Sequence, residues 1–374
     1  MKKIQILALH LNYGGIEKAI SDLTNNLSDD YIVEIVSTYK LSSKPAYKLN
    51  KNIKVTYLIN ELVPNREEFK KNLKSFHFIK AFKEGIKSIK ILYLKKQLMK
   101  KYIKKSNADV MISTRAFHNG LVSRYASRDI LRIAWEHSHH QGNKKYFNKV
   151  LLSSRKLDYL VLVSKGLYKD YNSAMKKYSC KCVYIPNMVD VNSPLKSKLK
   201  SCRLINTSRF SKEKGLYDLI DVISIVKGKI PNISLDLIGD GVLYNDIKTY
   251  IKNKSLEDNV KLYGFKDTDF INDKLSDSSL YVMTSFTESF GISLVEAFSH
   301  GVPAIAFNCA SGATELITNN GVLVENRDKE LMANKIIELL SDHNKLSKYG
   351  DNAYNAYKEF TPDKVIEIWK DIIK

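Results

Sequence analysis

Short β-branched runs alternate with helix-length amphipathic stretches along this chain, and that alternation restricts its fold more than any single motif. Strands are expected at 3–9, 31–38, 53–57, 109–113, 130–135, 158–163 and 182–185, with helical patterns near 15–27, 66–105, 117–127, 143–155 and 165–177. A second series follows, with strands near 202–207, 233–238, 259–263, 279–284, 302–306 and 321–324. Its helices are expected near 214–228, 243–253, 291–300, 328–341 and 344–358. Strands separated by helices of this length pair in parallel and are covered on both faces. At 374 residues the chain exceeds one ordinary compact domain. The two series meet near "NMVDVNSPLKSKLKS", a polar link, so the fold class is α/β: two doubly wound domains, 1–193 and 194–360, and a separate helix over 361–374. In that last stretch, "FTPDKVIEIWKDIIK", Thr361 is expected as the cap and Pro362 in the first turn. Val365, Ile366, Ile368, Trp369, Ile372 and Ile373 need a surface to cover.

Composition narrows the function classes. Cys180, Cys182, Cys202 and Cys309 fit neither a zinc knuckle nor a redox pair, and read as reduced thiols of a cytoplasmic protein. "MKKIQILALH" is interrupted by Gln5 and His10 and reads as a first strand rather than a leader. No run reaches the roughly 18–20 apolar residues of a membrane span. The net charge of +20 is unevenly placed: residues 1–193 hold 36 Lys+Arg against 15 Asp+Glu, and the remainder 24 against 25. A genome-wide lysine bias would have made both halves basic, so the first half is expected to face something anionic.

The charge concentrates in 66–105, where no acid stands between Glu84 and Asp109 but eight lysines do: 87, 90, 95, 96, 100, 101, 104 and 105. Ile86, Ile89, Leu92, Tyr93, Leu98, Met99, Tyr102 and Ile103 recur among them near helical spacing. Such a helix can lie on an anionic bilayer, or it can pack its apolar face on the domain and leave its lysines solvated. Nucleic acid is not expected, since no recognition motif is present.

In parallel α/β domains ligands bind beyond the carboxyl ends of strands, and four loops there carry candidate chemistry. In "HLNYGGIEKAI" Gly14 and Gly15 open a helix whose bare N–H groups suit an anion, or make a simple tight turn. "TSRFSKEKG" sends Arg209 and Lys214 off one strand end, a pairing that suits a diphosphate. "LIGDGVL" places Gly239 in a tight turn with Asp240 as a helix cap. In "SFTESFGISLVEAFSHGVPAIAF" Glu288 lies in a loop, Phe290, Gly291 and Ile292 begin a helix, and Glu296 sits about a turn further on. Cationic side chains, helix N-termini and two carboxylates together match a ligand with phosphates and many hydroxyls. A nucleotide sugar is such a ligand.

These loops, in this order, resemble retaining glycosyltransferases of the GT-B fold, specifically family 4. The E-x7-E pattern is "ESFGISLVE", preceded by "SRFSKEKG" and "IGDG" and followed by "GVPAIA" and "ATELI". "NYGGIEKAI", "VSKGLYKDY" and "IPNMVD" are similar to that family's first-domain signatures. The resemblance spans nearly the whole chain. It implies two Rossmann-like domains facing across a cleft, the first binding acceptor, the second the nucleotide sugar, with the last helix crossing back onto the first.

The same resemblance implies roles. Arg209 and Lys214 would hold the donor diphosphate, Glu296 the ribose hydroxyls and Glu288 the sugar hydroxyls, with the backbone of Phe290, Gly291 and Ile292 nearby. Gly15 would approach the diphosphate, and Glu315 would lie near the helix lining the donor pocket. His137 of "AWEHSHH" stands at the acceptor-side histidine, with His139 and His140 as alternatives. Retention without a carboxylate nucleophile implies front-face attack, the leaving diphosphate taking the acceptor's proton. Two departures bear on specificity: Lys18 replaces the family's arginine, and "CASGATE" replaces a Gly-Gly or Gly-Pro loop. "DTD" at 267–269 imitates a metal motif of another fold, but cations already fill that role, so no metal and no cofactor is expected. The expected partners are a UDP-sugar donor, a polyprenyl-diphosphate-linked saccharide and an anionic membrane surface. That gives a cytoplasmic enzyme, peripheral on the inner face of the plasma membrane, of capsule or surface-polysaccharide synthesis. A soluble or protein acceptor, a nucleotide-sugar epimerase of the same fold and an inactive scaffold are the alternatives.

Overall fold

All strand pairs are parallel in the computed structural model, which describes residues 1–60, 75, 78–191, 194–309 and 311–374. The strands form two sheets, each in its own compact unit. Unit 1 comprises Met1–Leu162, Tyr168–Tyr184 and Lys370–Lys374, and unit 2 comprises Val163–Leu167 and Ile185–Trp369. The units thus meet in the chain at Tyr184 and Ile185; of the expected boundary at 193/194, residues 192 and 193 lie outside the described residues.

The unit 1 sheet runs β3-β2-β1-β4-β5-β6-β7, built from β1 (Lys3–Ala8), β2 (Ile32–Lys40), β3 (Lys54–Asn60), β4 (Val110–Ser113), β5 (Leu131–Glu136), β6 (Tyr159–Leu162) and β7 (Lys181–Tyr184). Its helices are α1 (Gly15–Leu27), α2 (Phe78–Lys104), α3 (Ala116–Tyr125), α4 (Lys144–Ser154) and α5 (Lys165–Met175). The unit 2 sheet runs β10-β9-β8-β11-β12-β13, from β8 (Arg203–Thr207), β9 (Ser234–Ile238), β10 (Val260–Gly264), β11 (Leu280–Met283), β12 (Ala304–Phe307) and β13 (Gly321–Val324). Its helices are α6 (Leu216–Lys227), α7 (Tyr244–Asn253), α8 (Thr268–Ser276), α9 (Ile292–Ser299), α10 (Ser311–Leu316), α11 (Lys329–Ser341) and α12 (His343–Tyr357).

Ile4, Ile6 and Leu7 of β1 and Leu280, Tyr281 and Val282 of β11 are completely buried. That is why these strands read as continuous apolar runs rather than alternating ones. In both sheets the chain adds two strands to one side and then returns beside the first strand, so a topological switch falls between β1 and β4 and between β8 and β11. A parallel sheet presents its ligand crevice at the carboxyl ends of the strands flanking that switch. The loops that carry the sequence motifs leave those ends.

Three sequence expectations change. The helix expected over 66–105 is described only as α2, from Phe78; residues 61–74, 76 and 77 lie outside the described residues. The "DTD" loop is a helix start: Asp267 accepts a hydrogen bond from the Phe270 amide at 3.0 Å and caps α8, a helix absent from the expected pattern. The last helix, α13 (Pro362–Ile373), begins on Pro362 as expected. The Thr361 hydroxyl, however, donates back to the Lys358 carbonyl at 3.2 Å. Val365, Ile366, Trp369 and Ile373 are buried, while Ile368 keeps 38% of its surface. Lys370 pairs with Asp30 of unit 1 at 2.7 Å.

Candidate active site

Four loops of unit 2 are stitched side by side along the carboxyl edge of its sheet. The loop after β8 carries Arg209 and, in a short 3-10 turn, Lys212–Lys214. On one side it meets the turn after β9: the Phe210 amide donates to the Asp240 carbonyl at 2.9 Å, and Leu243 N–H donates to the Phe210 carbonyl at 3.1 Å. A Cβ at Gly239, where φ is 141°, would collide with the Ser208 carbonyl, so only glycine permits this approach. Asp240 does not cap the next helix; its carboxylate accepts from the Gly241 amide at 2.7 Å, and α7 starts beyond it at Tyr244.

On the other side the β8 loop meets the segment after β11. The Phe286 amide donates to the Glu213 carbonyl at 2.8 Å, and the Thr284 hydroxyl donates to the Lys214 carbonyl at 3.2 Å. The Lys214 ammonium bonds the Glu288 carboxylate at 2.7 Å, both side chains being about one-fifth exposed. Burial works against the charge of Lys214, but the Glu288 carboxylate, by charge and hydrogen bond, holds its pKa above the usual lysine range. The Glu288 carbonyl is itself fixed, accepting from the Gly312 amide at 2.8 Å and the Ser311 hydroxyl at 3.0 Å at the start of α10. Phe290 is buried, and Gly291 turns the chain at φ 98° into α9. That helix has no acidic residue in its first turn, which begins at Ile292, so its own side chains leave the positive end of its dipole unneutralised. Glu296 follows one turn later, half-buried.

Lys214, Glu288, Gly291 and Glu296 therefore share one sheet edge. Arg209 is more loosely held, 65% exposed and paired with Glu213 of its own loop at 3.1 Å. Glu315 on α10 accepts the amides of Lys165 and Gly166, both at 2.8 Å, binding the Val163–Leu167 segment into unit 2.

Sequence reading missed Arg327. It lies in the loop after β13 at φ 64°, and it ties α6 to the segment after β11. Its guanidinium pairs with Asp218 at 2.6 Å, donates to the Thr284 carbonyl at 2.8 Å, and stacks 3.7 Å from the Phe286 ring centroid and 4.5 Å from that of Phe307. Its partners come from three distant segments, so no local pattern announces it. Arg327→Ala is expected to lower the stability of unit 2 by about 2–4 kcal/mol, read as a fall in its thermal midpoint, because Asp218 and the Thr284 carbonyl lose their donor. Arg327→Lys should recover only part of it, since one ammonium cannot serve a carboxylate, a carbonyl and two rings.

Unit 1 gathers a second polar group at the carboxyl edge of its sheet. The start of α1 is not bare: Glu17 folds back on it, so that a Cβ at Gly14 would collide with the Glu17 carboxylate. Glu17 is buried between Arg115 and His10, each 3.5 Å away, and it neutralises the helix end expected to receive an anion at Gly14 and Gly15. Lys18, in place of an arginine, turns inward to Asp22 at 2.6 Å. His137 follows β5, 7% exposed and tilted against Trp135 at 4.3 Å between ring centroids. Burial, with Arg115 nearby, pushes its pKa down to about 3, so the ring is neutral at pH 7. Its Nε2 is buried without a hydrogen-bond partner among the described residues. Its neighbour Glu136 is buried and accepts from Tyr146 at 2.9 Å and from the Ser138 amide at 2.8 Å; burial raises its pKa. His140 is engaged otherwise, bonding Asp170 at 2.8 Å and stacking on His139. Ligand atoms of His139, His140 and Asp170 lie within 4.8 Å of one another, a grouping able to hold a metal ion.

Residues 192–356 match the family model described as Glycosyl transferases group 1, somewhat less than half of the chain. TarM of Staphylococcus aureus, in complex with fondaparinux, α-GlcNAc-glycerol and UDP, superposes with a TM-score of 0.79 at 18% identity over 100% of both chains. The fold is therefore GT-B, and unit 2 carries the group 1 glycosyl transferase pattern. Among curated proteins, the exopolysaccharide phosphotransferase of Streptomyces coelicolor is 23% identical over 369 residues, 96% of this chain and 39% of that protein. The poly(glycerol-phosphate) α-glucosyltransferase of Bacillus subtilis is 26% identical over 245 residues, 62% of this chain and 36% of that protein. The chain thus spans well under half the length of these two relatives.

Proposed function

We propose that the protein is a retaining glycosyltransferase moving a hexose or N-acetylhexosamine from a UDP sugar to a polyprenyl-diphosphate-linked saccharide in capsule or surface-polysaccharide synthesis. The observation that carries this reading is the Lys214–Glu288 pair set beside the start of α9, with Glu296 one turn on. A diphosphate seated there would draw Lys214 and Arg209 away from their carboxylate partners and lie against the positive end of α9. Glu288, released from Lys214, would accept hydroxyls of the sugar, and Glu296 those of the ribose. In support, TarM was solved with UDP, and the relatives named above are an exopolysaccharide phosphotransferase and a poly(glycerol-phosphate) α-glucosyltransferase.

Departure of the sugar as an oxocarbenium-like species leaves charge on the diphosphate. Lys214, Arg209 and the helix dipole would stabilise that charge without a metal ion. The diphosphate oxygen would then take the proton of the incoming acceptor hydroxyl on the same face. His137, neutral at pH 7, is assigned to the acceptor hydroxyl as a hydrogen-bond partner. The enzyme would work on the inner face of the plasma membrane.

UDP is expected to raise the thermal midpoint of unit 2. In a transfer assay with UDP-Glc, UDP-Gal, UDP-GlcNAc and UDP-GalNAc, one donor should yield a product of unchanged anomeric configuration, in EDTA as in its absence. Glu296→Ala should reduce that turnover by about 10-fold or more, mainly through KM. Full turnover by this variant would refute the site assignment, and a C2-epimerised donor formed without acceptor would replace the transferase with an epimerase.

A further inference from the structure

Helix α2 has two halves with different apolar surfaces. Toward its C-terminus Ile91, Met99 and Ile103 are buried, and Ile91 packs with Tyr39 of β2 and Ile59 of β3, with Leu58, Leu94 and Leu98 against them. Toward its N-terminus Phe82, Ile86, Ile89, Leu92 and Tyr93 are exposed at 69%, 53%, 69%, 53% and 65%. The spacing of Phe82, Ile86, Ile89 and Tyr93 is four, three and four residues. On a helix these four fall within an arc of about 60° and form a stripe about 16 Å long. Five large apolar side chains bare on one helix segment are not the scattered exposure normal to protein surfaces.

The surroundings of the stripe identify its occupant. Lys83, Lys87 and Lys90 are exposed along one flank, and Lys96 is exposed just beyond Tyr93. Glu84 is the one acid in the helix, and it stands 3.7 Å from Lys87. No described helix is long and apolar enough to cross a membrane. We infer that the Phe82–Tyr93 face docks unit 1 on an anionic lipid bilayer, the apolar stripe entering the acyl boundary and the flanking lysines meeting lipid phosphates. A second copy of the chain is a poorer occupant, because pairing two such faces would bring their lysine flanks together. Apolar insertion combined with lysine–headgroup attraction is how surface-lying helices bind membranes.

This inference adds a docking face to the proposed transferase and rests on that reading only for its purpose. The test is cosedimentation of the whole protein with vesicles of equal parts phosphatidylglycerol and phosphatidylcholine, and with phosphatidylcholine alone. Binding should favour the anionic vesicles and weaken with salt. Ile86→Ser/Ile89→Ser should cut partitioning about tenfold or more at every salt concentration. Lys83→Gln/Lys87→Gln/Lys90→Gln should remove mainly the salt-sensitive part. Because these side chains are exposed, both variants should keep the wild-type thermal midpoint and the midpoint shift with UDP. Unchanged partitioning by the folded serine variant overturns the proposal. So does a wild-type protein that ignores vesicles but sediments as a dimer the serine variant dissociates, which would assign the stripe to self-association. Failure of UDP to shift the midpoint, with vesicle binding intact, would remove the transferase reading and leave the docking face standing.

Discussion

Glu288→Gln is expected to tighten UDP binding while cutting sugar transfer by about 100-fold or more. On the proposed reading the two effects have opposite signs because Glu288 would play opposite parts before and after the donor binds. Without ligand its carboxylate neutralises Lys214 at 2.7 Å in a site where each side chain is about one-fifth exposed. A diphosphate seated there, as proposed, would have to compete with that carboxylate for the same ammonium, and it would bring its own negative charge close to Glu288. Glutamine keeps the shape and removes the charge, so competition and repulsion both fall, and UDP affinity should rise by about 3- to 10-fold in calorimetry. In the proposed reacting complex the charge would become useful, since a carboxylate there would accept sugar hydroxyls strongly and sit near a developing oxocarbenium ion. The amide supplies neither strong acceptance nor charge. Lys214→Ala should instead weaken UDP binding and slow transfer together, leaving Glu288 half-buried and unpaired. If Glu288→Gln bound UDP more weakly than wild type, the competition account would be wrong and Glu288 would have to contact the nucleotide itself.

What was legible in the sequence follows the range of the interactions involved. The parallel sheets and the placement of "SRFSKEKG", "IGDG" and "ESFGISLVE" at strand ends were readable, because strand runs, glycine turns and helix starts are local signals. That the first and last of these motifs meet through Lys214 and Glu288 depends on the β8–β11 pairing, which the sequence does not spell out. Arg327 was invisible for the same reason, its partners Asp218, Thr284, Phe286 and Phe307 lying in distant segments. Glu17 misled in the opposite sense: the Gly14-Gly15 turn does open a helix, but a carboxylate three residues away folds back and fills its end. Asp267 shows that a short acidic motif belongs as readily to a helix cap as to a metal. In α2 one amphipathic pattern does not distinguish the half whose apolar face is packed from the half whose apolar face is exposed.

Unit 1 should lose stability steeply as pH falls from about 6.5 to 5, by about 2–4 kcal/mol in total. His118 and His137 are the source. His118 is fully buried on α3, its Nε2 3.0 Å from the Thr38 hydroxyl, and burial beside Lys95 and Arg115 takes its pKa to about 3. His137 is depressed to the same value by burial and Arg115. In the unfolded chain both rings titrate near the ordinary value of 6.5. Between those limits the unfolded state binds two protons that the folded state refuses, so each histidine costs about 1.4 kcal/mol per pH unit on acidification. Glu136 works against this, because burial raises its pKa and lets the folded state take up a proton first; the net range above allows for it. Thermal unfolding followed at pH 7, 6 and 5 should therefore show a midpoint falling by about 5–12 °C. His118→Gln/His137→Gln should start from a lower midpoint and show a much flatter slope. A wild-type midpoint that stays level over this range would mean that these rings are protonated in the folded protein. His137 could not then serve as the neutral partner of an acceptor hydroxyl.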